Sequence, residues 1–171
     1  MLQISHISKT FNPGTVNEKK ALNGVDLHLD AGDFVTILGS NGAGKSTLFG
    51  AIAGSFVVDE GTIRLDGQNI TSLPDYKRSK FIGRLFQDPL KGTAPSMTIE
   101  ENLIAVRLDQ PPFTKGIMMN KSGQDTYAKE MVEQFDIRPA DYNLPTSSLS
   151  GGNAQKVVVA REVSLGNKLL V

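Results

Sequence analysis

One short segment, residues 39–47, constrains the fold of this chain more than any other part of its sequence. The segment matches the template G-x-x-x-x-G-K-[ST] without a mismatch. Its residues are Gly39, Ser40, Asn41, Gly42, Ala43, Gly44, Lys45, Ser46 and Thr47. The apolar run 34–38 precedes it, and the helix-forming stretch 45–53 follows it. We therefore expect a buried strand, a tight loop and a helix, the order in which loop amides and a helix N-terminus bind a phosphate chain.

The residue types of this segment suit phosphate chemistry. Gly39, Gly42 and Gly44 allow the backbone to curl without a Cβ in the way. Lys45 can reach the β- and γ-phosphates, and Ser46 can supply a hydroxyl to Mg²⁺. The alternative is a glycine-rich turn that binds nothing, and the coincidence of strand, complete motif and helix argues against it.

The composition argues against several classes of protein. The 171 residues are enough for one domain, and 18 basic residues balance 18 acidic ones, which argues against a dedicated nucleic-acid-binding protein. There is no cysteine, so disulfides and thiolate metal sites are excluded. No apolar run approaches the roughly 18–20 residues that span a bilayer, and residues 1–10 do not resemble a signal peptide. A role at a membrane would therefore depend on a partner.

The first half of the chain is rich in strand patterns. We expect strands in the opening residues 1–10, over 25–29, over 61–66 and over 81–86. Asp66 and Gly67 give a hairpin signal after the third of these strands.

The second half is rich in helix patterns, after an expected loop over 88–96. Thr98, with Glu101 three residues later, forms a capping box that predicts a helix to about Leu108. Further helices are predicted over 124–135 and from about 150 to 165, and residues 168–171 resemble the start of another strand. Together these patterns indicate an α/β nucleotide-binding core with a mostly helical insertion.

A second motif lies at the start of the last predicted helix. Ser150, Gly151 and Gly152 offer a hydroxyl, two backbone amides without side chains and a helix dipole, which together can form a second anion site. A plain Ser N-cap followed by flexible glycines explains the same residues. Taken with the phosphate-binding segment upstream, residues 149–156 resemble the signature motif of ATP-binding cassette (ABC) proteins, and the resemblance covers essentially the whole chain.

The resemblance implies a fold and a set of ligands. The fold is α/β, a P-loop NTPase with a RecA-like core and an N-terminal antiparallel β-subdomain, joined to an ABC-type α-helical subdomain and incomplete. Residues 1–87 would form the β-rich ATP-binding core, 88–165 the Q-loop and helical subdomain with the signature motif, and 166–171 the start of the Walker B strand. The implied cofactors are ATP and Mg²⁺.

Two further residues match positions of the family. Phe11 matches the aromatic residue that stacks on adenine, although a half-buried aromatic at a strand end explains it nearly as well. Gln87, followed by Asp88 and Pro89, matches the Q-loop glutamine, which touches Mg²⁺ and the attacking water. The resemblance therefore makes Gln87 the candidate catalytic residue and implies that Ser46 and Gln87 bind the metal.

The resemblance also implies partners. Two such domains pair head to tail, so that Ser150 and Gly152 of one domain would act on the nucleotide held by the other. The region 88–103 would contact transmembrane permease subunits, which would place the chain at the cytoplasmic face of the cell membrane as a peripheral subunit. No nucleic-acid partner is expected.

Several catalytic groups of the family are not among these 171 residues. They are the Walker B Asp, the catalytic Glu that follows it and a later His; His6 and His28 lie in the N-terminal strand region and do not match. Phosphoryl transfer depends on metal placement and on a residue that orients the nucleophile. We therefore expect a truncated chain that binds MgATP weakly and does not turn it over at a useful rate.

The transported solute stays open at this point. Residues 9–103 resemble importers linked to amino-acid uptake, whereas residues 149–161, with Gly-Gly-Asn rather than Gly-Gly-Gln, resemble the sugar and nucleoside importer branch. A divergent subfamily and a mosaic chain both explain this difference.

The leading hypothesis is the ATP-binding subunit of a bacterial importer. The alternatives are a soluble ABC ATPase without a transporter and a non-functional remnant of a transporter gene. A P-loop kinase or GTPase is disfavoured, because the signature motif would then be a coincidence and no N-K-x-D segment is present.

Overall fold

The computed structural model describes residues 1–116 and 118–171. The chain divides into two compact units. The first comprises residues 1–82 together with Val171, and the second comprises residues 83–170.

The first unit is built on an antiparallel four-stranded sheet. Its strands are β1 (Leu2–Phe11), β2 (Lys19–Leu29), β3 (Glu60–Leu65) and β4 (Gln68–Asn69), in the order β2-β1-β3-β4. Leu2 in the central strand β1 lies opposite both Leu29 and Leu65. Alternate apolar side chains of β1 and β3 are buried, as period-two patterning requires. The unit also contains α1 (Lys45–Ala53), which contacts β2, and α2 (Asp75–Arg78); the short strand β5 (Ile82–Gly83) runs into the second unit.

The second unit is mostly helical. It contains α3 (Ile99–Ile104), α4 (Lys121–Gln134) and α5 (Gly151–Ser164), with short strands β6 (Thr114–Lys115), β7 (Met118–Met119) and β8 (Leu169–Leu170). Helix α3 packs against both α4 and α5. Their shared core consists of Ile99, Leu103, Ile104, Phe113, Ala128, Met131, Val132, Ile137, Val157 and Ala160.

Several locally encoded predictions are confirmed. Helix α1 spans the predicted residues, and α5 begins directly after Ser150. The Thr98 capping box is present in both directions. At the predicted hairpin, Asp66 and Gly67 both adopt positive φ, 48° and 79°, as the common two-residue turn between β-strands requires.

The buried strand predicted over residues 34–38 is wrong. This segment has no regular secondary structure, and the side chains of Phe34 and Leu38 are 96% and 87% exposed. The strand pairings of the described residues give it no partner on either side. An isolated strand is not stable in water, so apolar composition alone does not produce one.

Two further bounds differ from the sequence prediction. The strand expected over 81–86 is limited to β5, and the carbonyl of Phe86 instead accepts a hydrogen bond from the Gln155 side chain (3.4 Å). The helix expected to reach Leu108 ends at Ile104, because the Arg107 amide bonds to the Ile104 carbonyl in a tighter turn (2.8 Å).

Candidate nucleotide-binding site

The predicted phosphate-binding loop ends in a helix N-terminus that is free of side-chain caps. Gly44 is the N-cap of α1, with φ 90°, and has no side chain to occupy the amides of the first turn. The first turn of α1 contains no acidic residue. Lys45 and Ser46 are its first two residues, and Ser46 is exposed. The N-terminus therefore presents unpaired amides, a partial positive charge and a hydroxyl to solvent, which suits an anionic phosphate group.

Only glycine fits at the N-cap of α1. A Cβ at position 44 would lie 2.5 Å from the carbonyl oxygen of Ala21 in β2, closer than any real Cβ contact. The positive φ adds a second reason, because L-residues with a side chain rarely adopt it. Close contact with β2 thus fixes where the loop turns into the helix.

The Lys45 side chain folds back over its own loop. Its Nζ donates to the carbonyl oxygens of Gly39 (2.7 Å) and Ser40 (2.8 Å). These neutral acceptors hold the ammonium group at the mouth of the loop without neutralising its charge. The ammonium is therefore placed where a phosphate would compete successfully for it.

Phe11 lies at the same end of the sheet as the phosphate-binding loop. It pairs with Lys19 in β2, two residues before Ala21, which touches the loop. The half-buried ring of Phe11 packs edge to face against Phe56, with centroids 5.3 Å apart. Phe56 could not be predicted from the sequence, because an isolated aromatic in a loop gives no periodic signal.

A cation accompanies this aromatic pair. Lys9 Nζ lies 5.8 Å from the centroids of both Phe11 and Phe56 and 2.6 Å from Asp59 Oδ1. The hydrogen bond from Lys9, followed by one from the Thr10 amide, lowers the pKa of the Asp59 carboxyl. The flat rings and the cation can contact an aromatic base.

The signature segment forms the start of α5 in the second unit. The Ser150 hydroxyl accepts hydrogen bonds from the Asn153 amide (3.4 Å) and the Asn153 side chain (3.1 Å), so it acts as the N-cap. Asn153 Oδ1 in turn accepts from the Arg138 amide (2.8 Å). Gly151 and Gly152 are exposed, and a Cβ at either would meet no atom within 4 Å. Packing around them in the chain therefore does not require glycine at these two positions.

Gln87 is exposed and lies outside regular secondary structure. Asp88, the next residue, caps a 3-10 turn (Pro89–Lys91) through a bond from the Leu90 amide to its carboxylate (3.0 Å). The Gln155 side chain of α5 donates to the carbonyl of Phe86, directly before Gln87. The second unit thus links the Gln87 segment to the signature helix.

A buried polar network fixes the loop that follows Gln87. Asn102 Nδ2 donates to the carbonyls of Ala94 (3.1 Å) and Thr98 (2.9 Å), and Asn102 Oδ1 accepts from the Ala94 amide (2.8 Å). The Thr146 hydroxyl donates to the same Ala94 carbonyl (3.0 Å). Asn102 and Thr146 are each 2% exposed. A loop is predicted over residues 88–96, and this network gives it a defined shape.

A buried arginine holds the far end of α1. Arg78 is 1% exposed, and its guanidinium donates to the carbonyls of Ala51, Ile52, Thr71 and Leu73 at 2.7–2.9 Å. Burial lowers the pKa of this guanidinium. The carbonyls of Ala51 and Ile52 belong to the last turn of α1, where helices lack internal donors. The burial of Arg78 could not be predicted from the sequence, since nothing in its local pattern marks a buried cation.

The described residues contain no group of three or more His, Asp or Glu side chains that could hold a metal ion. Within the same part of the chain, no helix has both the length and the apolar character needed to cross a bilayer.

Comparisons with known proteins agree on one family. The family profile described as ABC transporter matches residues 22–171. The tyrosine transport ATP-binding protein of Clostridioides difficile is 34% identical over all of this chain and 68% of its own length. The nucleoside import ATP-binding protein NupA of Lactococcus lactis is 32% identical over all of this chain and 33% of its own length. The chain thus spans between about a third and two thirds of the length of these relatives.

Solved structures show the same fold. A dimeric, post-hydrolysis structure of the ATP-binding cassette MJ0796 with ADP and Pi superposes with a TM-score of 0.82. The two sequences are 26% identical, and the superposition covers 99% of this chain and 72% of the MJ0796 chain. The similarity extends over both units, so it includes the phosphate-binding loop and the signature segment.

Proposed function

The chain belongs to the ABC transporter family, and on that premise we propose that it is the ATP-binding subunit of a membrane importer that couples ATP binding and hydrolysis to solute uptake. The observation that carries the proposal is the phosphate-binding loop. Its helix N-terminus has a side-chain-free cap, and two neutral carbonyls hold Lys45 beside it.

The residues present fit MgATP. Residues 39–47 would bind the phosphates, and Phe11 would stack on adenine beside Phe56. Ser46 and Gln87 would hold Mg²⁺, which neutralises phosphate charge when bound. Gln87 is exposed, so its side-chain amide is accessible to a ligand.

The first turn of α5 supports a role for the signature segment in a dimer. Gly151 and Gly152 are the first two residues of α5, and a Cβ at either position would meet nothing in this chain, so packing within the chain does not explain glycine there. Open amides at the N-terminus of α5 suit a phosphate brought by another molecule. We propose that Ser150, Gly151 and Gly152 contact the nucleotide of a second ATP-binding domain in a head-to-tail dimer.

The membrane partner is proposed to bind through region 88–103. The loop within this region is fixed by Asn102 and Thr146, and a preorganised surface binds a partner at lower entropic cost. The chain would then lie at the cytoplasmic face of the membrane. The relatives are named for transport of tyrosine and for import of nucleosides and of xylose or arabinose, so the solute class is proposed only as a small polar nutrient.

ATP hydrolysis is the activity proposed for the whole protein. For the 171 residues by themselves we propose slow turnover, since they include Lys45, Ser46 and Gln87 but not the family's Walker B carboxylates or its later histidine. Phosphate release at a rate typical of a working ATPase, abolished by Lys45→Ala, would contradict this part of the proposal.

Nucleotide binding is the direct test. Lys45→Ala should weaken binding of MgATP by about 10- to 100-fold in isothermal titration, because it removes a charge-assisted hydrogen bond to phosphate. Lys129→Ala, which removes an exposed lysine of α4, is the matched control and should bind as the unaltered chain does. Equal affinities of the Lys45 variant and the control, at equal urea midpoints, would refute the proposed site.

A further inference from the structure

Phe56 contacts two parts of the first unit that the proposed nucleotide site uses. Its ring packs against the ring of Phe11, with centroids 5.3 Å apart and an angle of 80° between the ring planes. The same ring lies against Gly50 of α1, the helix that begins at the phosphate-binding loop. Phe56 therefore contacts both the residue proposed to stack on the base and the helix proposed to hold the phosphates.

Helix α1 leaves room for this ring at position 50. A Cβ added to Gly50 would lie 3.0 Å from Cε1 of Phe56, closer than nearly all real Cβ contacts. Glycine is less favourable than alanine inside a helix, so helix propensity does not explain Gly50, whereas the close approach of the ring does. Beyond the end of α1, the Ser55 amide donates to the Gly50 carbonyl (2.9 Å), which turns the chain back toward the helix. This turn places Phe56 directly on α1.

Hydrogen bonds also fasten the segment that follows the ring to strand β1. The Asp59 amide donates to the carbonyl of Ser8 (2.9 Å). The Asp59 carboxylate accepts from the ammonium of Lys9 (2.6 Å) and from the amide of Thr10 (2.7 Å). These three residues of β1 directly precede Phe11. The chain around Phe56 is thus held to α1 on one side and to the end of β1 on the other.

The edge-to-face arrangement leaves Phe11 able to stack on a base. Two rings at 80° meet edge to face, so at least one face of Phe11 stays free of Phe56. Phe11 is half-buried, so part of its ring is accessible to a ligand. Aromatic pairs prefer a few relative orientations, and contact with Phe56 therefore restricts the orientation of the Phe11 ring. A ring that is already ordered loses less entropy when a ligand binds to it.

We infer that Phe56 is a positioning residue for the nucleotide base. Through its contacts with Phe11 and Gly50 it fixes the base-stacking ring relative to α1, so that one nucleotide can reach the ring and the phosphate-binding loop together. This inference rests on the proposed function, because it takes MgATP as the ligand of this site. A residue that only packed the first unit would affect every ligand of the site equally.

Two ligands that share the phosphates but differ in the base test this distinction. MgATP and magnesium tripolyphosphate are titrated separately into the 171-residue chain by isothermal titration. Phe56→Leu keeps an apolar side chain and removes the ring. It should weaken binding of MgATP by about 3- to 10-fold and leave the affinity for tripolyphosphate within about twofold. Val57→Ala, at the exposed neighbouring position, is the matched control and should change neither affinity.

The outcomes separate positioning from packing. Loss of affinity by the same factor for both ligands, including loss through failure to fold, would mean that Phe56 serves packing only, and the inference would be wrong. Phe56→Tyr keeps an aromatic ring and should bind both ligands as the unaltered chain does. Gly50→Ala keeps the ring but displaces it from α1, so it should weaken binding of MgATP and not of tripolyphosphate. If Gly50→Ala leaves the ratio of the two affinities unchanged, the link through α1 is refuted.

A double-mutant cycle tests whether Phe56 acts through Phe11. In the Phe11→Leu background, Phe56→Leu should cause little further loss of MgATP affinity, because the ring that it positions is gone. An equal loss in both backgrounds overturns the inference. If the unaltered chain binds neither ligand, the proposed function fails and the inference fails with it. If it binds both and Phe56→Leu leaves their ratio unchanged, only the inference fails.

Discussion

The buried guanidinium of Arg78 offers the sharpest test of how the first unit is held together. We consider its replacement by methionine, which has a similar length and removes both the charge and all donors. The four carbonyls that Arg78 now satisfies, at 2.7–2.9 Å, would lose their donors in a site that is 1% exposed. Two of them belong to the C-terminal turn of α1, where a cation also interacts favourably with the helix dipole.

The expected loss follows from two opposing effects. An unsatisfied buried acceptor costs about 1–3 kcal/mol, and four of them would cost more than most single substitutions. The variant also escapes the cost of burying a guanidinium, which is several kcal/mol. The net expectation for Arg78→Met is a loss of about 3–5 kcal/mol, because four acceptors left without donors, at about 1–3 kcal/mol each, outweigh the desolvation cost that the variant avoids. Arg78→Lys keeps the charge but not the planar fork, so it should lose less.

Urea unfolding monitored by circular dichroism gives the measurement. The midpoint and slope of each transition yield the free energy of unfolding. Arg64→Met, which removes an exposed arginine of β3, is the matched control and should change stability by less than about 0.5 kcal/mol. A loss below about 1 kcal/mol for Arg78→Met, at an unchanged slope, would refute the idea that this cation organises α1.

Two further predictions concern backbone geometry and pH. Gly61 has φ 85° and a Cβ there would lie 2.4 Å from a β1 carbonyl oxygen, whereas Gly67 has φ 79° and open space around it. Gly61→Ala should therefore lower the urea midpoint much more than Gly67→Ala does. Gly67→Ala costs only the backbone strain of a positive φ, about 1–2 kcal/mol. Similar midpoints for the two variants would contradict the steric argument. The hydrogen bond from Arg138, with help from a second cation, lowers the pKa of Asp136, so its contribution is present above the ordinary Asp pKa and is lost as pH falls through the lowered value. The stability difference between the unaltered chain and Asp136→Asn should shrink between pH 6 and strongly acidic pH, and a constant difference would contradict this linkage.

The parts of the fold that the sequence predicted correctly are encoded by neighbouring residues. The capping box at Thr98, the positive-φ turn at Asp66 and Gly67, and the N-cap at Ser150 each depend on residues within four positions. Each of these signals is formed by neighbouring residues, so it can be recognised without knowledge of the tertiary structure.

The parts that could not be predicted depend on distant partners. The apolar segment 34–38 has the composition of a strand but no paired neighbour among the described strands. The carbonyl of Phe86 accepts a hydrogen bond from the side chain of Gln155, which is distant in sequence. Likewise, no local pattern shows that Arg78 is buried or that one oxygen of Glu100 lacks a donor.

The network around Asn102 and Thr146 has a mechanical consequence. Its hydrogen bonds join the Ala94 backbone both to α3 and to Thr146, which lies shortly before Ser150 in the sequence. These hydrogen bonds therefore resist bending of the loop when a force acts on the surface near Ala94. Because this path is short, we expect the segment around Ala94 and the start of α5 to be displaced together within the second unit.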